Sequence, residues 1–170
     1  TLGEGGHAKA ILEKTAPKGK LLGIELDQEI LTNTKYKILN TRYKNRLITV
    51  CDNFVNLKKI VNEQKFNGIS GVLLDLGISS WHLEESNKGF SFLKDEPLIM
   101  KLGDLENDLT AGKIINCWPK EELERIFRDC GQERFAKRIA ERICLARRAK
   151  PIESAKQLAE IVKKAVPPNY

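Results

Sequence analysis

No stretch of the chain approaches the roughly 18 to 20 consecutive apolar residues that a bilayer-crossing helix requires, and no basic segment followed by an apolar run of the secretory type opens it. A cytosolic chain without a membrane span is expected. Cysteine is scarce: Cys51, Cys117, Cys130 and Cys144 form no Cys-x-x-Cys pair and have no histidine at ligand spacing. That excludes the usual zinc modules and gives no sign of a disulfide framework, so reduced thiols mostly filling the core are expected, with no metal. Aromatic residues make up only 6%, yet 41% hydrophobic and 31% charged residues describe an ordinary globular protein rather than a disordered one. At 170 residues, two large independent domains are excluded and one modest core is expected.

The net charge is +6, and its distribution says more than its size. Residues 1–85 carry 12 basic and 10 acidic side chains, residues 86–118 carry 4 and 5, and residues 119–170 carry 13 and 8. The basic excess is C-terminal, which points to a polyanion as the partner of that half.

Along the first half, helical and extended patterns alternate. After Gly3, Gly5 and Gly6 a helix is expected from His7 to about Thr15, then a turn at Pro17–Gly19 and an apolar strand at Leu21–Ile24. A helix from about Gln28 to Tyr43, a strand at Leu47–Cys51, a helix at about Val55–Gln64 and a buried strand at Val72–Leu74 follow. Strands that are apolar throughout, separated by helices, predict a parallel sheet covered on both faces, as in a Rossmann-like half. Beyond Asp75 comes a polar loop, Gly77 to about Gly103, with one strand-like fragment at Leu98–Leu102. Helices are then expected from Pro119 to a Gly131 stop, from about Gln132 to Arg148, and from an Ser154 N-cap to about Val166. A doubly wound sheet needs more than three strands, so strands before Thr1 and after Tyr170 are expected to complete it.

The opening Thr1-Leu2-Gly3-Glu4-Gly5-Gly6-His7 places glycines just before a helix whose first amides have no intrahelical partner, which makes a seat for an anion or carboxylate. Glu25 ends the next strand, where nucleotide-binding α/β folds place an acid that accepts from ribose hydroxyls. Tight strand-to-helix packing is the plain structural alternative. The turn is neither GxGxxG nor a P-loop, so NAD and S-adenosylmethionine both remain as ligands. After the next strand, Phe54 could stack on an adenine and Asp52 accept from its amino group, or Asp52 could simply cap the following helix. Asp75, in Leu73-Leu74-Asp75-Leu76-Gly77, stands beyond the carboxyl end of a strand and is the leading catalytic candidate on position; a turn-forming role is the alternative.

Four blocks taken together resemble the MraW-type family of S-adenosylmethionine-dependent 16S ribosomal RNA cytosine-N4 methyltransferases. They are Thr1 to His7, Leu73-Leu74-Asp75-Leu76-Gly77-Ile78-Ser79-Ser80, Gly89-Phe90-Ser91-Phe92, and Gly131 to Ala140 (GQERFAKRIA). The resemblance implies an α/β class I methyltransferase sheet, incomplete here, with an inserted and mostly α-helical substrate-binding domain. Residues 1–83 would then be the cofactor domain and 84–170 the insert. It also implies cofactor contacts at Gly5, Gly6, His7, Glu25, Phe54, Asp75 and His82, with Glu25 where the family usually has Asp and His82 where Gln is common; Gly3 of the glycine turn and Asp52 join them as cofactor candidates on position alone. Members commonly read Leu-Asp-Met-Arg-Met where this chain has Leu98-Ile99-Met100-Lys101-Leu102, which replaces an acid and exchanges an arginine for a lysine that lacks its bidentate fork.

The reaction so implied asks for positioning above all, plus acceptors on the N–H groups of a weakly nucleophilic amine. Asp75, Ser79 and Ser80 are the candidates. A target base must leave its stack, and among Phe90, Phe92 and Trp81 the tryptophan, in a polar loop, is favoured for RNA contact over two phenylalanines that could equally form a satellite core. On the helix from Gln132, Phe135, Ile139 and Ile143 form a buried stripe, while Arg134, Arg138 and Arg142 repeat the same spacing one residue earlier. With Lys101, that row suits RNA phosphates; a salt-bridged surface built on Glu133–Lys137 and Lys137–Glu141 is the alternative. Two other readings stand beside a ribosomal RNA methyltransferase: an RNA-binding protein with a decayed site, and an NAD-type oxidoreductase half.

Overall fold

The computed structural model describes residues 1–39, 43–103 and 109–168. The chain divides into two compact units, Thr1–Trp81 with residues 102 and 103, and His82–Lys101 with residues 109–168.

The first unit is α/β. Helix α1 (Gly6–Lys14) leads to strand β1 (Leu21–Glu25), helix α2 (Gln28–Leu39), strand β2 (Leu47–Cys51), a 3₁₀ turn at Phe54–Asn56 and helix α3 (Leu57–Glu63). The strands pair in parallel, Leu21 opposite Leu47 through Glu25 opposite Cys51. Parallel pairing demands a crossover, and α2 supplies it. The helix starts where Asp27, 2% exposed, accepts the Glu29 N–H at 3.0 Å through Oδ1. Leu12, Leu31, Ile38 and Leu47 form the centre of this unit's core. Arg46 fastens α1 to the strand entry, donating to the carbonyls of Gly19 (2.6 Å) and Leu12 (2.7 Å).

Helix α2 was expected from about Gln28 to Tyr43; it is described to Leu39, and residues 40–42 lie outside the described residues. One expectation differs here. Val72–Leu74, expected as a buried strand, forms no strand, and the three side chains are 63%, 48% and 57% exposed. The apolar run has the composition of a central strand, but a strand exists only as a ladder with a neighbour. The second edge of β1 instead receives the Leu2 N–H on the Ile24 carbonyl (2.8 Å).

The second unit is helical: α4 (Ser80–Glu84, straddling the boundary), α5 (Ala111–Cys117), α6 (Lys120–Arg125) continuing as a π-helical turn at Ile126–Cys130, α7 (Ala136–Ala149) and α8 (Ala155–Lys163). Gly131 ends the π turn, and Ser154 caps α8 by accepting the Gln157 N–H at 3.3 Å. Leu123, Ile139, Ala140 and Ile143 are at most 4% exposed and centre this core. Helix α7 begins later than expected because Glu133 turns its Oε1 to the Phe135 N–H (2.7 Å) and holds residues 131–135 in a turn. Leu98–Leu102 is not a strand; only Pro97 bridges, in antiparallel fashion, to Ser154. The thiols also differ from expectation: Cys51, Cys117 and Cys130 are exposed and Cys144 half-buried, because three of them fall at element ends.

Among the described residues no helix is long and apolar enough to cross a membrane, and no cluster of three or more potential metal ligands occurs.

Candidate functional site at the glycine turn

The site is built on the carboxyl end of β1. Gly5 takes a left-handed conformation (φ +84°), and a Cβ there would lie 2.6 Å from Ile38 Cδ1, so both backbone and space call for glycine. It caps α1 with no side-chain hydrogen bond, which leaves the opening amides of a nine-residue helix turned outward. Three contacts fix the turn: the Gly3 N–H donates to Glu25 Oε2 (2.8 Å), Thr34 Oγ1 donates to the Gly3 carbonyl (2.7 Å), and Leu2 packs where any Gly23 side chain would sit.

Glu25 is 6% exposed. Besides Gly3, its Oε1 accepts the N–H groups of Leu26 (2.9 Å) and Asp27 (3.3 Å). A carboxylate has about four lone-pair positions, so three backbone donors leave room for one more from a ligand. The sequence placed this acid at the strand end but did not reveal that it ties down the glycine turn; Thr34, 1% exposed, was missed altogether because a mid-helix threonine carries no signal of what it reaches.

Asp75 lies against the same turn. Its Oδ2 is 3.2 Å from His7 Nδ1, its carbonyl accepts from Thr1 Oγ1, and both the His7 and Asp75 side chains are over 60% exposed. Such an exposed contact opens at little cost. Ser79 is half-buried and Ser80 exposed at the start of α4.

At the end of β2, Asp52 Oδ1 accepts from the Asn53 N–H (2.6 Å) and Asn56 Nδ2 (2.8 Å). The Asn56 contact first, then the Asn53 amide, with Lys59 adding attraction, hold the Asp52 carboxyl below its ordinary range. The capping residue itself is Asn53, whose side chain accepts the Val55 N–H. Phe54 is 42% exposed at that turn. His82 belongs to the second unit, 3% exposed, with its ring edge-on to Phe90 at 5.2 Å.

For the residues expected to meet RNA, Trp81 is 5% exposed, so its indole offers no open face to a base, whereas Phe92 is 68% exposed. Arg134, in the turn before α7, and Arg138, on it, lie over the half-buried Phe135 ring at 4.8 and 5.6 Å; both are exposed, as is Arg142 on α7, so the three arginines do not form a row on one helix as expected. Glu141 pairs with Lys120 (4.0 Å). Lys101 is half-buried after Met100, which has a positive φ.

A parallel strand pair with a glycine turn and an acid at its carboxyl end defines a Rossmann-like class of ligand site. The MraW methylase family matches this chain over residues 1–170, and the chain belongs to that family. It is 41% identical over 170 residues to a ribosomal RNA small subunit methyltransferase H of Clostridium botulinum (strain Loch Maree), covering 100% of this chain and 54% of that protein. The protein of the same name from Syntrophotalea carbinolica is 42% identical over 170 residues, covering 100% and 53%; that of Desulfosudis oleivorans is 42% identical over 167 residues, covering 98% and 53%. The chain thus spans about half the length of the curated relatives it matches.

Proposed function

We propose that the protein carrying this chain methylates the N4 amine of a cytidine in 16S ribosomal RNA, with S-adenosylmethionine as donor, the first unit holding the cofactor and the second the RNA. The observation that carries this reading is the uncapped glycine turn of α1 fastened to buried Glu25. The residues fit the cofactor: a Cβ at Gly3 or Gly6 would meet no atom within 4 Å, so the backbone beside the helix start is open to a close-lying group. The amides of Gly5, Gly6 and His7 would receive its carboxylate, Glu25 a ribose hydroxyl, and Phe54 and Asp52 the adenine. When bound, the cofactor supplies a methyl group activated on a sulfonium.

This chain's own groups then orient the amine. Asp75, Ser79 and Ser80 offer acceptors to its N–H groups, which favours a pyramidal nitrogen and stabilises the charge that develops there. Arg134, Arg138, Arg142 and Lys101 would hold phosphates and set register without reading bases. Calorimetric titration of the full-length protein with S-adenosylmethionine, S-adenosylhomocysteine and NAD tests the cofactor half of the proposal. Binding of the first two and none of NAD is expected; NAD binding with no heat from either sulfur compound would overturn it.

A further inference from the structure

The two threonines of α2 use their hydroxyls differently. Thr32, exposed, follows the habit of a helical threonine and donates back one turn to the Gln28 carbonyl (2.8 Å). Thr34, 1% exposed, donates instead to the Gly3 carbonyl (2.7 Å), 31 positions away. A hydroxyl has a single proton to give, and this one is committed to the glycine turn. The other branch of the side chain is placed as well: Cγ2 stands 2.9 Å from where a Cβ on Gly5 would lie, and Ile38 Cδ1, one turn further on, 2.6 Å from the same point. Between them Lys37 reaches the Glu4 carboxylate (4.0 Å). Positions 34, 37 and 38 share one side of a helix, so a single face of α2 meets Gly3, Glu4 and Gly5.

The effect falls on the peptide that joins Gly3 to Glu4. Thr34 draws its carbonyl toward α2, and in a planar trans peptide the N–H points the opposite way, so the Glu4 amide is turned away from that helix. The Gly3 N–H, on the preceding peptide, is held by Glu25 Oε2 (2.8 Å). Both polar groups of Gly3 are thereby tied to buried side chains from two elements, although its φ of +52° lies in a region that glycine enters and leaves easily. Glu4 itself is exposed and directly precedes Gly5, the cap of α1. We infer that Thr34 is a positioning residue for the cofactor's carboxylate: its hydroxyl fixes the Gly3–Glu4 peptide and keeps the Glu4 N–H turned out beside the amides that open α1. This rests on the cofactor reading above and adds to it a side chain too buried to meet the ligand itself.

The test is calorimetric titration of the full-length protein with S-adenosylhomocysteine. Thr34→Val, which keeps the branched shape and removes the proton, should weaken binding by roughly 3- to 10-fold, the range that one neutral hydrogen bond supports. Thr34→Ser, which keeps the hydroxyl, should restore it to near wild type, and Thr32→Val, which removes the hydroxyl that bonds within α2, should leave it unchanged. Cofactor affinity intact in Thr34→Val, even with a lowered melting midpoint, would make the contact structural only and overturn this inference alone, as would a serine variant that binds as weakly as the valine one. Thr34→Ala is read in the same way if the valine variant does not fold. A wild-type protein that takes up no S-adenosylhomocysteine overturns the cofactor reading and this inference with it.

Discussion

Replacing Glu25 separates a carboxylate that only meets a ligand from one that also builds the site. Its oxygens accept from Gly3 (2.8 Å), Leu26 (2.9 Å) and Asp27 (3.3 Å), and the side chain is 6% exposed. A hydrogen bond to a charged group contributes about 1.5–3 kcal/mol, and a buried donor left unpaired costs about as much. The Asp27 contact is long and the Gly3 and Leu26 contacts are only part-buried, so water recovers some of the loss. Glu25→Ala should therefore destabilise the protein by about 2–4 kcal/mol, and Glu25→Gln, which keeps one acceptor oxygen, by about 1–2 kcal/mol. Urea unfolding of the full-length protein measures this, with cofactor calorimetry on the same samples. Affinity should fall in both variants, since the turn loosens along with the ribose acceptor. An unfolding midpoint for Glu25→Ala equal to wild type would refute the reasoning that this acid holds the glycine turn.

Other variants probe the remaining pieces. Asp75→Ala should abolish most methyl transfer while changing stability by less than about 0.5 kcal/mol, because the side chain is 61% exposed; turnover at the wild-type level would make Asp75 structural only. Replacing Arg134, Arg138 and Arg142 together should flatten the salt dependence of RNA binding by up to about 2 in log–log slope, at roughly 0.7 per phosphate contact, with cofactor affinity unchanged; an unaltered slope contradicts the phosphate contacts. Arg147→Met should cost about 1.5–3 kcal/mol, since its guanidinium donates to the carbonyls of Ile115 (2.6 Å) and Trp118 (2.7 Å) and joins α7 to α5; a neutral result by thermal melting would discount that joint. The Asp52 carboxyl should titrate below the usual aspartate range by NMR, and Asn56→Ala should raise it. Its contribution to stability is present above the ordinary pKa and lost as pH falls through the depressed one, and a normal Asp52 midpoint would contradict the observed contacts.

What the sequence disclosed depends on how local the cause was. Strands β1 and β2 fell where expected because Leu21–Ile24 and Leu47–Cys51 are short apolar runs between helical patterns, and their parallel pairing followed from the intervening helix. The Ser154 cap and the Gly131 stop were legible for the same local reason. Val72–Leu74 was not, since composition cannot tell a strand from an apolar segment without a ladder neighbour. Helix α5 went unseen because Gly112 interrupts its pattern, although Thr110 caps it by accepting the Lys113 N–H. At the site, Gly5 and Glu25 were legible as a motif; the Gly3 contact and Thr34 were not, because both join residues more than 20 positions apart. Loop polarity misjudged which ring turns inward, and only the packing distinguishes buried Trp81 from exposed Phe92.

Methyl transfer itself is the most direct test. Full-length protein incubated with methyl-labelled S-adenosylmethionine and unmodified small-subunit ribosomal RNA should place label in the RNA, recovered after digestion as N4-methylcytidine, and the Asp75→Ala variant should leave the RNA unlabelled. Label in another nucleoside, or RNA bound by the wild-type protein with no label transferred, would contradict the proposed reaction.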